Sequence, residues 1–145
     1  MRIRNEAHEW NGISPSFWSR IARELPPVKK KPFLRSRRKG GRPRADDRQA
    51  LSAIFWRLRC GGTWKRLPKQ FGSAVTARRR LALWLRGDRL ERLWRAYLFQ
   101  QSRVELQRWR MSLAAAEYRS QPFWRYGLDF VWRREFEPLL NTDSD

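Results

Sequence analysis

Wherever apolar residues are dense in this chain they recur at intervals of three and four, and nowhere do they alternate convincingly with polar ones. The pattern predicts helices and no strands. Ser14-Pro15 followed by Phe17, Trp18, Ile21 and Leu25 joins an N-cap, a proline in the first turn and helical spacing. That short helix is predicted to end at Pro26-Pro27. Asp46 and Asp47 place negative charge at the positive end of a helix dipole, and Leu51, Ile54, Phe55 and Leu58 form one apolar stripe running to Gly61-Gly62. Thr63 can cap a short element carrying Trp64, Leu67 and Phe71. Pro68 inside it predicts a helical turn restarted at the proline instead of one continuous helix.

Gly72-Ser73 reads as a turn, after which residues 74–86 contain no Gly or Pro and Gly87 is placed to stop a helix about 20 Å long. Ala77, Leu81 and Trp84 share one face of it; Val75, Arg79, Ala82 and Arg86 lie across, with Thr76, Arg78 and Leu83 at the flanks. After Asp88, Leu90, Leu93, Trp94, Tyr97 and Leu98 keep helical spacing, and no Gly or Pro intervenes before Pro122. One long helix, or two joined by a frayed stretch, is predicted there. Phe123, Trp124, Tyr126, Phe130, Trp132 and Phe136 follow as an aromatic cluster, and Trp56, Trp64, Trp84 and Trp94 sit at core spacing. No internal repeat is present. The fold class expected is all-α: a small helical bundle containing a helix-turn-helix-like unit, with a basic extended arm and a C-terminal helical extension. The division expected is a helical domain over residues 1–100 and an extension over 101–145 whose order the pattern leaves open.

Composition changes this picture in one respect, the charge. The 145 residues carry 33 Lys and Arg against 14 Asp and Glu, a formal +19, yet 41% are hydrophobic and nine are Trp, so a core is within reach where a basic tail would lack one. Residues 1–100 hold 26 basic and 7 acidic side chains and residues 101–145 hold 7 of each, which assigns the whole excess to the first hundred. Residues 29–44 contain nine basic side chains and no acid, with Pro32, Gly40, Gly41 and Pro43 opposing regular structure: a cationic arm. A polyanion is the partner such a distribution implies, because each neutralised phosphate releases condensed counterions.

Other classes are excluded more directly. Cys60 is the single cysteine and His8 the single histidine, so neither an intramolecular disulfide nor a zinc site built from His and Cys is available; no cofactor is expected. No run approaches the 20 or so apolar residues of a spanning helix, and Glu6 and Glu9 stand where an export signal would be apolar. The expectation is a cytoplasmic protein with no membrane contact and no small-molecule substrate.

Trp18, Ile21 and Leu25-Pro26-Pro27, then Gly41-Arg42-Pro43-Arg44-Ala45-Asp46-Asp47-Arg48, then Leu58-Arg59, Gly62, Trp64, Leu67-Pro68, Phe71-Gly72, Thr76, Arg79 and Trp84 stand in a characteristic order. In that order and spacing they resemble the N-terminal domain of bacterial insertion-sequence transposases, over about residues 14–100. In that family the domain precedes a catalytic domain of RNase H-like fold with an Asp, Asp, Glu metal triad. The resemblance implies recognition of terminal inverted repeats in double-stranded DNA, with cleavage and joining left to the part downstream. Here the downstream part departs from the family pattern. A two-metal nuclease core needs carboxylates held on a sheet, and the last forty-five residues carry no strand signal. Asp129, Glu135 and Glu137 are read as surface acids, and no catalysis is expected of this polypeptide alone. A first-frame product and a decayed copy both fit the departure.

The binding mode expected is bipartite. Gly41-Arg42-Pro43, flanked by Lys39 and Arg44, partly matches the Arg-Gly-Arg-Pro core of minor-groove hooks, so Lys39, Arg42 and Arg44 are candidate minor-groove contacts. The helix after Gly72 is expected in the neighbouring major groove, with Arg79 and Arg86 on base edges and Lys65, Thr76 and Arg78 on phosphates. A catalytic transposase subunit or a second copy of the chain would be a further partner. Two other classes compete: a small RNA-binding or ribosome-associated protein, which the charge equally permits, and a non-catalytic regulator of a full-length transposase.

Overall fold

A computed structural model describes residues 10–24, 46–61, 63–118 and 127–141. Helix α1 (Pro15–Ile21) starts as its sequence dictates: the Ser14 hydroxyl accepts from the Phe17 N–H at 3.2 Å and proline fills the first turn, where no donor is needed. It runs on into a 3-10 turn, Ala22–Glu24. Helix α2 (Asp46–Cys60) is broader in its burial than the four-residue stripe predicts. Ala50, Leu51, Ala53, Ile54, Phe55, Trp56 and Leu58 are all buried, and so is Ser52, because α2 has neighbours on several sides. Gly61, with φ of +69°, ends it, its N–H bonding back to the Arg57 carbonyl at 2.7 Å.

The segment from Thr63 to Phe71 forms two 3-10 turns, Trp64–Arg66 and Lys69–Phe71, the second restarted from Pro68. Thr63 stands at the N-cap position, yet its side chain makes no capping bond. Helix α3 (Ala74–Trp84) packs on α2 and is two residues shorter than predicted; Leu85 caps it, so Arg86 lies beyond the helix. Helices α4 (Arg89–Phe99) and α5 (Arg103–Tyr118) occupy the stretch free of Gly and Pro. The break between them is a hydrogen-bonded turn instead of a frayed stretch: the Gln101 N–H bonds to the Leu98 carbonyl at 3.0 Å, and the Ser102 hydroxyl accepts from the Glu105 N–H at 3.1 Å. Residues 128–141 are helical throughout, as α6 (Leu128–Val131), a π-helical segment (Trp132–Phe136) and α7 (Glu137–Asn141). Among the described residues there is no strand, so the architecture is an all-α bundle.

Aromatic rings fill the core. Phe55 of α2 meets Trp94 edge-on at 5.0 Å, Tyr97 at 5.0 Å and Trp109 edge-on at 6.2 Å, geometries that the ring quadrupoles favour. Trp10 adds its edge to Trp109 at 5.9 Å and donates its Nε1–H to the Tyr97 hydroxyl at 3.3 Å. Trp109 comes from α5 and Leu128, Val131, Trp132 and Phe136 come from the last helical stretch, so side chains after residue 100 share one core with those before it. The Trp94 Nε1–H donates to the Leu128 carbonyl at 3.0 Å, which ties the last stretch to α4. Ile13 is gripped from both sides, its N–H by the Ser52 hydroxyl at 2.9 Å and its carbonyl by Arg48 at 2.7 Å.

Candidate nucleic-acid interface

Helix α3 begins where the sequence first permits it. Gly72 adopts a φ of +82°, and a side chain there would crowd Gln49, whose amide donates to the Gln70 carbonyl at 3.1 Å; the turn is thereby fastened to α2. The Ser73 hydroxyl then accepts from the Thr76 N–H at 3.1 Å and donates to the Thr76 hydroxyl at 3.1 Å. Thr76 is therefore half-buried beside its cap, with its own hydroxyl proton left to reach outward.

The two faces divide as the spacing predicts. Ala77 and Trp84 are buried and Leu81 half-buried, against Val75, Arg79 and Ala82 exposed on the far side and Arg78 and Leu83 exposed at the flanks. No acid lies on α3. Of its three consecutive arginines, Arg80 turns inward, its Nε donating to the buried Asp47 carboxylate at 2.6 Å. Arg78 and Arg79 make no ion pair with any described residue.

The cations around α3 form a wider set than the sequence reading singled out. Lys65, Arg66 and Lys69 are exposed on the 3-10 turns that lead into α3, Arg86 is exposed on the turn that leaves it, and Arg89 is exposed at the start of α4. Beneath the first turn the Arg57 guanidinium lies over the Trp64 ring, 4.8 Å from its centre, a cation–π contact that props the loop; burial lowers the Arg57 pKa from its ordinary value. Lys65, Thr76, Arg78 and Arg79 are thus brought to one run of turn and helix. Arg86 departs from expectation, leaving the helix face for the following turn. Lys39, Arg42 and Arg44 lie outside the described residues. No helical spacing marks Arg66, Lys69 and Arg89; the signal that points to them is density, eight cations and one acid over residues 65–89.

Three acids elsewhere, Asp88, Glu105 and Glu135, are committed to partners. Glu105 pairs with Arg59 at 2.9 Å and with Arg108 at 3.4 Å, and Asp88 with Arg92 at 3.1 Å. Glu135 takes a fork of two bonds from Arg95, at 2.7 and 2.9 Å, and those bonds hold its carboxyl below the ordinary value. Among the described residues no group of three or more His, Cys, Asp or Glu is placed to hold a metal ion, and no helix is long and apolar enough to cross a membrane.

The family described as "Putative transposase of IS4/5 family (DUF4096)" matches residues 13–94 of this chain, from the gripped Ile13 to Trp94 in the core. A protein described as "Uncharacterized protein y4sN", from Sinorhizobium fredii (strain NBRC 101917 / NGR234), is 32% identical over 76 residues. That alignment covers 52% of this chain and 54% of the relative, so the chain spans about half the length of the curated protein it matches. No solved structure matches it.

Proposed function

Because the chain belongs to the IS4/5 transposase family, we propose that it is the DNA-binding portion of an insertion-sequence transposase and recognises the terminal inverted repeats of its element in double-stranded DNA. One observation carries this reading: α3 presents Arg78 and Arg79 to solvent with no acid on the helix, while Arg80 is spent on Asp47 behind it. A helix so charged on its outer face suits a major groove about 12 Å wide, where Arg79 would meet guanine edges and Arg78, Thr76 and Lys65 would meet phosphates. The cationic stretch of residues 29–44, with Lys39, Arg42 and Arg44, would follow the adjacent minor groove, whose negative potential favours arginine.

The burial of the tryptophans supports duplex DNA over single-stranded RNA as the partner. Single-strand recognition relies on aromatic platforms open to bases, whereas Trp10, Trp56, Trp84, Trp94, Trp109 and Trp132 are all buried. The exposed rings among the described residues, Phe99 and Phe130, stand on α4 and α6, outside the run of cations over residues 65–89. The test is competition. A labelled duplex taken from the DNA flanking the gene is bound by the full chain and challenged with random duplex and with double-stranded RNA. Release by the unlabelled flanking duplex at concentrations well below those of either competitor is expected; equal release by RNA refutes the reading.

A further inference from the structure

Resting on the reading above, we propose that Arg86, on the turn after α3, and Arg89, the first residue of α4, form a clamp for adjacent backbone phosphates on one strand of duplex DNA. The strand they hold lies on the groove wall opposite the one met by Lys65, Arg66 and Lys69.

Four features place the clamp. The helix ends at Trp84, and beyond the Leu85 cap the Arg86 N–H bonds to the Leu83 carbonyl at 3.2 Å, so the Arg86 side chain leaves the helical face that a base reader would occupy. Gly87 follows with φ of +66°, and nothing stands within 4 Å of where a side chain would be. Leu83, Arg86, Gly87, Asp88 and Arg89 line an open hollow of about 350 Å³. Asp88 is the one acid at this hollow, and its carboxylate is taken by Arg92 at 3.1 Å, one helical turn further along α4. Both guanidinium groups are therefore exposed, without an acidic partner among the described residues, and flank one concavity.

Guanidinium is the group suited to this task. Its planar fork gives two parallel bonds to phosphate oxygens, and it remains charged at any working pH. The spacing along α3 supplies the second strand. Eleven residues at a rise of about 1.5 Å span roughly 16 Å, somewhat more than the width of the major groove, so cations before and after the helix face different walls while Arg79 lies between them. Arg86 is accordingly a backbone contact that sets the register of α3, and base reading falls to Arg79.

The experiment compares the full chain with Arg86→Ala, Arg89→Ala and the double variant, on the flanking duplex and on a random duplex, between 50 and 200 mM salt. Thermal melts confirm that these exposed positions leave the fold intact. Each single substitution is expected to remove one phosphate contact. That shrinks the loss of affinity across this salt range by about 3.5-fold, and it leaves the ratio between the two duplexes unchanged. An unaltered salt slope for Arg89→Ala, with the unsubstituted chain still binding, overturns the clamp alone. A changed ratio for Arg86→Ala also overturns it, by returning Arg86 to base reading. Failure of the unsubstituted chain to bind any duplex removes the clamp together with the reading it rests on.

Discussion

Arg80 of α3 donates through Nε to Oδ1 of Asp47, on the first turn of α2, at 2.6 Å, with the acid buried and the arginine side chain about a quarter exposed. This bond decides how the run Arg78-Arg79-Arg80 is used. One guanidinium joins the two helices that pack most closely, and the other two are left facing solvent. Asp47 thus does more than complement the dipole of α2.

Asp47→Asn keeps the shape and removes the charge, leaving a half-buried Arg80 with a neutral partner. A hydrogen bond to a charged group contributes about 1.5 to 3 kcal/mol, and partial exposure of Arg80 places the expected loss near the lower end. Urea unfolding of the substituted chain checks it, as a lower midpoint at unchanged slope.

Gly12→Ala is expected to cost about 1 to 3 kcal/mol, the range for a residue forced into a backbone region it rarely adopts. Gly12 has φ of +90°, and a methyl group there would stand 2.6 Å from Cε1 of Phe71 and 3.2 Å from the Ser52 hydroxyl that holds Ile13. A denaturation midpoint equal to that of the original chain would show that residues 10–13 are not seated on α2.

Much of this was legible in the sequence, for physical reasons that differ by residue. Ser14-Pro15 and Gly72-Ser73 carry their turn and cap chemistry locally, so both helix starts follow from the residues themselves. Ala77 and Trp84 follow from helical period alone. Asp47 could not be read as an ion-pair partner, since its arginine is 33 positions away and only the packing of α3 on α2 brings them together. Gly87 marks the stop of α3 in the sequence, but the chain leaves the helix earlier, at Leu85. Trp109 carries no local signal of its place beside Phe55, because the two are far apart in sequence and only the packing of α5 on α2 brings them together.

Trp94→Phe retains most of the apolar surface and deletes the indole bond to the Leu128 carbonyl, which keeps its helical bond from the Trp132 N–H, so the expected cost is that of one hydrogen bond, about 0.5 to 1.5 kcal/mol. The loss should be local as well as global. Amide exchange over residues 128–141 is expected to accelerate more than exchange in α2, and uniform acceleration would contradict the assigned role.

Burial pushes the Cys60 thiol up from 9.0 to about 11, against the smaller opposing pull of Arg59. At pH 8 only about a thousandth of it is thiolate, so alkylation should be markedly slower in the folded chain than in urea. The sign for stability follows from the raised value. The contribution is full below the ordinary thiol value and is lost as pH rises through about 11. Cys60→Ser should flatten the alkaline limb of the stability profile, and an unchanged limb would remove Cys60 as its source.

Sequence-selective binding through α3 is tested most directly by titrating the flanking duplex and a scrambled duplex of equal composition into the full chain and into Arg79→Ala, at about 100 mM salt. A bidentate arginine–guanine contact is worth about 1 to 3 kcal/mol of discrimination, or about 5- to 150-fold. The account predicts that the preference for the flanking duplex falls by a factor in that range in Arg79→Ala while weak binding to both duplexes persists. Equal preference in the two chains, or no binding of duplex by the unsubstituted chain, would contradict it.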